Sequence, residues 1–283
     1  MPVVRSGPAA RAGALARYTA LIVAAALFLI PFYLLVRNAF MRESDITAVD
    51  WHWLPPSWAV DNVEKVLNDP AVPMVHALGN SLAISITQTL GVVVISGLAG
   101  YGLARIPYRW SNQVFYLITA TLLIPAAVTF VPSFVLVSSL GWISTLRGLI
   151  IPGLFQALAT FLFRQYFLSF PKEIEEAAYL DGLGYWGTFW RVVVPNSAGF
   201  AAAIATITFI GAWNSFLWPL VIGRDPDSWT VQIAMSTYLT AQSVNLSQLF
   251  MAALIAILPL LLMFLFLQRW IVAGVERTGI TGD

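Results

Sequence analysis

Four stretches of this chain contain no Asp, Glu, Lys or Arg: 70–104, 110–146, 192–223 and 228–268. Each is longer than the roughly 20 residues with which a helix spans a bilayer core. A soluble domain is about one quarter charged, whereas these 283 residues hold 15 Lys+Arg and 14 Asp+Glu and are 59% hydrophobic. A water-soluble globule is excluded, and the expected class is an all-α integral membrane protein. The absence of cysteine removes disulfides, thiolate nucleophiles and Cys-based metal sites. His52 and His76 stand far apart in one expected loop, with no further ligands to complete a metal centre. A net charge of +1 offers no basic patch, so nucleic acid is not an expected partner.

Hydropathy places six spans, at 18–36, 80–104, 114–140, 148–163, 197–222 and 249–268. The first differs from a secretory signal, because Pro31, Phe32 and Tyr33 stand where a cleavage site wants small residues; a retained anchor is expected. The fourth is short, with Arg147 and Arg164 at its ends placed to snorkel outward. Six spans put both termini on one side. The set of loops that includes the termini carries Arg5, Arg11, Arg17, Arg105, Arg109, Arg164, Lys172, Arg191, Arg269 and Arg277, against Arg37, Arg42, Lys65, Arg147 and Arg224 in the other set. Basic residues stay on the cytoplasmic side, so both termini are expected there. The organisation follows: a cytoplasmic tail 1–17, one transmembrane domain 18–275 and a cytoplasmic tail 276–283. The outer 37–79 loop is acidic, and its Trp51, Trp53 and Trp58 read as an interfacial aromatic belt.

Prolines 125, 132, 219 and 259 interrupt the expected spans, and Gly91, Gly97, Gly100 and Gly102 make a small-residue stripe in the second, suited to close helix packing. No ionisable group lies centrally in any span. Proton- or sodium-coupled carriers and intramembrane hydrolases need such groups at depth, so their absence counts against both. The interior polar groups are amides and hydroxyls, among them Gln88, Gln156, Thr206, Thr208 and Asn214. They can line a path for a neutral, hydroxyl-rich solute or bond one helix to another. Energy for uphill transport must then enter from outside the spans.

The segment 169–197, SFPKEIEEAAYLDGLGYWGTFWRVVVPNS, is the informative loop. Pro171 starts a helix well, and Glu173, Glu175 and Glu176 favour its positive N-terminal end. Ala177 and Ala178 leave a narrow surface. Asp181 and Gly182 end the helix, the glycine being free to turn left-handed. A second short helix carrying Trp186, Phe189 and Trp190 is expected to end before Pro195.

These residues carry a resemblance. Glu176-Ala177-Ala178, three residues, Gly182, nine residues, Val192, one residue, Val194-Pro195 resembles the EAA loop of binding-protein-dependent ABC importer permeases, with valines where the usual pattern has isoleucine and leucine. Asn80-Ser81-Leu82, Tyr101-Gly102-Leu103-Ala104-Arg105, Phe170-Pro171 and Trp213-Asn214-Ser215-Phe216-Leu217-Trp218-Pro219 narrow it to the carbohydrate, maltose-type branch. The likeness covers nearly the whole chain. It implies an inner-membrane, non-catalytic subunit that pairs with a second homologous permease and receives a sugar from an extracytoplasmic binding protein. Two cytoplasmic ATPase subunits, which hold the ATP and Mg, would seat the loop as a coupling helix; this chain binds no cofactor. Glu176, Ala177, Ala178, Asp181, Gly182 and Pro195 are then the coupling residues. For the solute path the residues are Trp213, Asn214, Gln88 and Gln156, although the Trp213-Asn214 motif serves equally to pack the fifth span against its partner.

Other patterns lead nowhere. Residues 182–187 fit G-x-G-x-x-G without a βαβ unit, 169–172 fit S-x-x-K without companion motifs, and no phosphate-binding G-x-x-x-x-G-K-[ST] occurs. A membrane transferase would need charged residues paired at one interface, and a membrane scaffold would not need the EAA loop.

Overall fold

The computed structural model describes residues 8–239 and 244–278, with side chains for 13–239 and 244–269. Arg5 lies outside the described residues, as do the side chains of Arg11 and Arg277 and most of the 276–283 tail. The helices are α1 (Pro8–Ala39), α2 (Glu43–Ile46), α3 (Asp61–Leu67), α4 (Met74–Arg105), α5 (Ser111–Ala120), α6 (Ala126–Ser139), α7 (Leu146–Ile150), α8 (Ala157–Ser169), α9 (Lys172–Leu180), α10 (Tyr185–Thr188), α11 (Val194–Asn196), α12 (Ala198–Trp213), α13 (Leu217–Ile222), α14 (Val231–Ser236) and α15 (Leu246–Thr278). Among the described residues the only strand-like pairing is a single antiparallel bridge, Leu239 with Val244.

Among the described residues four helical stretches are long and apolar enough to cross a membrane: Gly13–Ala39, Met74–Arg105, Leu146–Ser169 and Leu246–Arg269. The number rises to six if two bent pairs each make one span. The first pair, Ser111–Leu123 with Ala126–Ser139, bends by 100°. The cause is local: a residue before proline is pushed out of the helical region, and Ile124, ahead of Pro125, is extended at φ −84°, ψ 116°. Pro132 and Pro259, by contrast, sit inside uninterrupted helices. The second pair, Tyr185–Asn196 with Ala198–Trp213, bends by 76°. The 197–222 segment expected as one span is therefore interrupted at its far end: α12 stops at Trp213 and α13 restarts at Leu217.

The chain divides into two compact units. The first comprises Met1–Asn68 and Tyr238–Ile255. In it the Asn62 amide donates to the carbonyls of Ala39 and Met41, both at 2.9 Å, closing the turn after α1. The Glu43 carboxylate accepts the backbone N–H groups of Leu246 and Ser247 (3.1 and 2.8 Å), which satisfies orphan donors at the start of α15. Trp51 lies under the Arg37 guanidinium, and the Tyr33 hydroxyl donates to the Trp53 carbonyl.

The second unit comprises Asp69–Thr237 and Ala256–Asp283. Its centre is α4 packed against α8 and α12, with Val92, Tyr101, Phe163, Phe167, Phe189, Val193 and Ile204 in one buried cluster. Close contact is possible because Gly100 leaves no side chain: a Cβ there would sit 2.6 Å from Phe163 Cβ and 2.8 Å from the Arg164 backbone nitrogen. Of the glycine stripe, Gly91 faces only the Leu154 side chain, and Gly102 faces open space. Arg164, at the end of the fourth expected span, is half-exposed. Its guanidinium donates to Asn112 Oδ1 (3.0 Å) and lies over the Phe115 ring, a use of fork and face that keeps the cation partnered within the protein.

Candidate functional site

The helix breaks of the second unit meet at one place. Gln88, midway along α4, faces the chain between α7 and α8, where Leu154 to Gln156 leave the helical path. There a cavity of about 490 Å³ is lined by Gln88, by Ala126, Thr129, Phe130 and Ser133 of α6, by Pro152, Gly153 and Gln156, and by Thr208, Gly211, Ser215 and Trp218 around the end of α12. No lining residue is charged. Irregular backbone is tolerated where it lines a cavity, and here Gln156 and Ser215 from two helix breaks line it, with Ala126 directly after a third. The starts of α6 and α8 offer backbone donors, while the end of α12 offers carbonyl acceptors. Thr208 lines the cavity although it is only 4% exposed.

Gln88, which lines the cavity, donates Nε2 to the carbonyls of Leu149 and Ile150 at 3.0 and 3.3 Å. The amide passes directly over Gly153, where a Cβ would lie 2.3 Å from Nε2. Trp218 holds the far wall by donating Nε1 to the Gly148 carbonyl at 3.0 Å. Of the four path residues expected from sequence, Gln88 and Gln156 line the cavity. Trp213 and Asn214 are not among its lining residues: Trp213 is 1% exposed and stacks on Phe209, and Asn214 ends α12, donating to the Ile210 carbonyl and accepting from Gln232 Nε2. Trp218, four residues after Asn214 in the same motif, supplies the aromatic wall. Sequence periodicity did not single it out or Gly153, since each matters only through a partner far along the chain.

The 169–197 loop has its own geometry. Helix α9 ends in a Schellman turn: Gly182 takes φ +82°, its N–H donates to Tyr179 O, and the Leu183 N–H donates to Ala178 O, both at 3.0 Å. Glu173, Glu176, Ala177 and Leu180 fall three or four residues apart on the exposed stripe, with Leu180 90% exposed, while Glu175 and Ala178 turn inward. Ala177 and Ala178 thus separate, the second being buried against its own chain. The following helix does not end before Pro195. A π-helical turn at Phe189–Val193 leads into α11, with Pro195 inside it, and the chain bends at Ser197. Proline has no N–H to give the preceding turn, so a widened turn there forfeits little.

Inside the loop, Glu175 pairs with Arg105, the last residue of α4, at 3.1 Å, both side chains being at most 7% exposed. Arg105 also donates to the Phe170 carbonyl. Burial pushes the Glu175 carboxyl above the usual carboxylate value, and Arg105 opposes that rise. Glu176 and Asp181, by contrast, are exposed.

Residues 76–277 match the family described as binding-protein-dependent transport system inner membrane component. The chain is similar to the arabinooligosaccharides transport system permease protein of Halalkalibacterium halodurans, 35% identical over 72% of this chain and 73% of that one. It is also similar to the sn-glycerol-3-phosphate transport system permease protein of Yersinia enterocolitica (30% identity; 90% and 92% covered) and the lactose transport system permease protein of Rhizobium radiobacter (31%; 91% and 93%). Its fold matches a chain of a bacterial ABC transporter involved in the import of the acidic polysaccharide alginate, with TM-score 0.80 at 18% identity over 95% of this chain and 99% of that one. On the strength of the family match and of identity sustained along most of its length, the chain belongs to the binding-protein-dependent transport system inner membrane components.

Proposed function

We propose that this chain is the six-span permease subunit of an ATP-driven importer for a sugar or related polyhydroxylated solute. It forms one transmembrane domain, 18–275, with both termini cytoplasmic, the bent pair Ser111–Leu123 and Ala126–Ser139 serving as one span and the 197–222 segment as another. With a second permease it builds the translocation path, takes solute from an extracytoplasmic binding protein, and seats the 171–195 loop on cytoplasmic ATPase subunits that bind ATP and Mg. The chain itself is non-catalytic and holds no cofactor.

The observation that carries this reading is the exposed stripe of α9. It sets Glu173 and Glu176 beside Leu180, and the Gly182 turn follows at once. A large apolar side chain left almost fully exposed beside acids, on a short helix held rigidly from behind, fits a surface that presses into a basic-rimmed cleft of a partner. Glu176, Asp181, Gly182 and Ala177 are its contact residues, with Ala178 and Pro195 shaping the loop behind them. The relatives named for arabinooligosaccharides and lactose support a saccharide. The cavity supports it too, because amides and hydroxyls both donate and accept, as sugar hydroxyls do. Gln88 and Gln156 are the path residues we assign inside it, and Trp213 and Asn214 hold the end of α12 that borders it.

The test is purification in mild detergent followed by reconstitution. A second permease and an ATPase should accompany the chain, and ATP hydrolysis with the binding protein present should rise on adding one member of a sugar panel. A chain that purifies alone and stays stable would contradict the proposal. Within that assay, Gly153→Val should displace the Gln88 amide from the Leu149 and Ile150 carbonyls. The solute concentration for half-maximal stimulation should rise about tenfold, the equivalent of one lost hydrogen bond of about 1.4 kcal/mol, while the complex still assembles.

A further inference from the structure

Helices α8 and α12 run directly into the 169–197 loop, so any displacement of α9 reaches them through the covalent chain. Helix α4 has no such connection: its end at Arg105 and the start of α9 at Lys172 are far apart in sequence. Yet α4 is unbroken from Met74 to Arg105, while the other chain segments around the cavity are interrupted there. Gln88 and Arg105 lie on this one rigid rod, about 25 Å apart at 1.5 Å per residue.

Two kinds of contact join α4 to the loop. One is apolar: the Tyr101 ring lies 4.9 Å from Phe189 of the loop and, beside it, packs edge-on against Phe167 of α8. Such contact is non-directional and permits sliding. The other is directional. Arg105 Nε alone faces both oxygens of Glu175, at 3.2 and 3.1 Å, and Nη2 donates to the Phe170 carbonyl just before α9. A planar fork bound on two sides fixes position and angle together. Glu175 is the one inward-facing acid of a helix whose other acids are exposed, and the family pattern at Glu176-Ala177-Ala178 does not include it.

We infer that Arg105 and Glu175 are a positioning pair that ties α4 to the coupling helix, so that movement of α9 on its partner is carried along α4 to Gln88 at the cavity. This rests on the proposed function of the loop. The pair makes no contact with solute or nucleotide; it sets where one wall of the cavity stands relative to the loop.

The experiment uses the whole reconstituted complex with its binding protein. Glu175→Gln and Arg105→Gln are compared with the double variant Arg105→Gln/Glu175→Gln, in which neither buried charge is left unpaired. The double variant should co-purify with the ATPase and keep basal hydrolysis, yet lose substrate-stimulated hydrolysis and uptake by about tenfold, within the roughly 5- to 150-fold usual for coupling between sites. A double variant with wild-type stimulation would show that the pair only neutralises buried charge, and would overturn the inference. A double variant that no longer co-purifies would assign the pair to folding of the loop and overturn it equally. Wild-type chain isolated without any ATPase would overturn the proposed function and the inference with it, a result the variants alone cannot produce.

Discussion

Replacing Gly100 by leucine should leave little folded protein in the membrane. The Cβ alone would stand 2.6 Å from Phe163 Cβ and 2.8 Å from the backbone nitrogen of Arg164. Backbone cannot swing aside as a side chain can, so α8 would have to move off α4, opening the buried cluster of Tyr101, Phe163, Phe167 and Phe189. Overpacking of interiors costs typically about 1–3 kcal/mol and occasionally more, and this substitution belongs at or above the upper end. Even alanine should be poorly tolerated. Gly91→Ala is the informative control, because its Cβ meets only the Leu154 side chain, nearest at the Cδ2 end (2.5 Å), which a rotamer change relieves. Gly102→Ala meets nothing within 4 Å. Expression yield and thermal stability in detergent should rank these variants as Gly102→Ala, Gly91→Ala, Gly100→Ala, Gly100→Leu, from least to most affected. A stable Gly100→Leu protein would show that α4 and α8 do not pack this closely.

The second large effect is expected at Gly182, and it should be an effect on transport. With φ at +82°, any L side chain there costs roughly 1–2 kcal/mol, too little by itself to unfold a membrane protein. The position opens onto free space, and a Cβ added there would meet nothing within 4 Å. Gly182→Trp should therefore insert normally while projecting an indole from the turn that the proposed function seats on the ATPase. Uptake should fall by more than about tenfold, which a loss of about 1.4 kcal/mol in seating accounts for. Gly182→Asn tolerates the left-handed conformation and should keep most of the activity. Normal uptake by Gly182→Trp would remove Gly182 from the joint.

How much of this was legible in the sequence differs from residue to residue. The end of α9 was legible because its signals are local: Pro171 starts the helix, acids fill its first turn, and Gly182 supplies the one conformation that a Schellman turn requires. The bend at Pro125 was half legible. Proline announces itself, but Pro132 and Pro259 announce themselves equally and lie in continuous helices. The four glycines of the α4 stripe look alike in sequence; what sorts them is which atom from elsewhere in the chain stands opposite. Gln88 and Gln156 were found as polar residues in apolar spans. Trp218 and Gly153, which complete the same cavity, gave no such signal, because a tryptophan and a glycine in a membrane helix are ordinary until a partner is known.

The distribution of charge by itself determined that the chain is a bundle of membrane helices, since no soluble fold accommodates four uncharged stretches of that length. Local order and spacing determined the helical loop and its glycine turn. Only the tertiary structure decided which polar residues share a cavity, which glycine touches backbone, and which of three neighbouring glutamates turns inward to meet Arg105. The physical reason is the same in each case. Hydropathy and turn signals act within a few residues of chain, whereas a cavity wall, a close approach or a buried ion pair is set by side chains brought together from positions tens of residues apart.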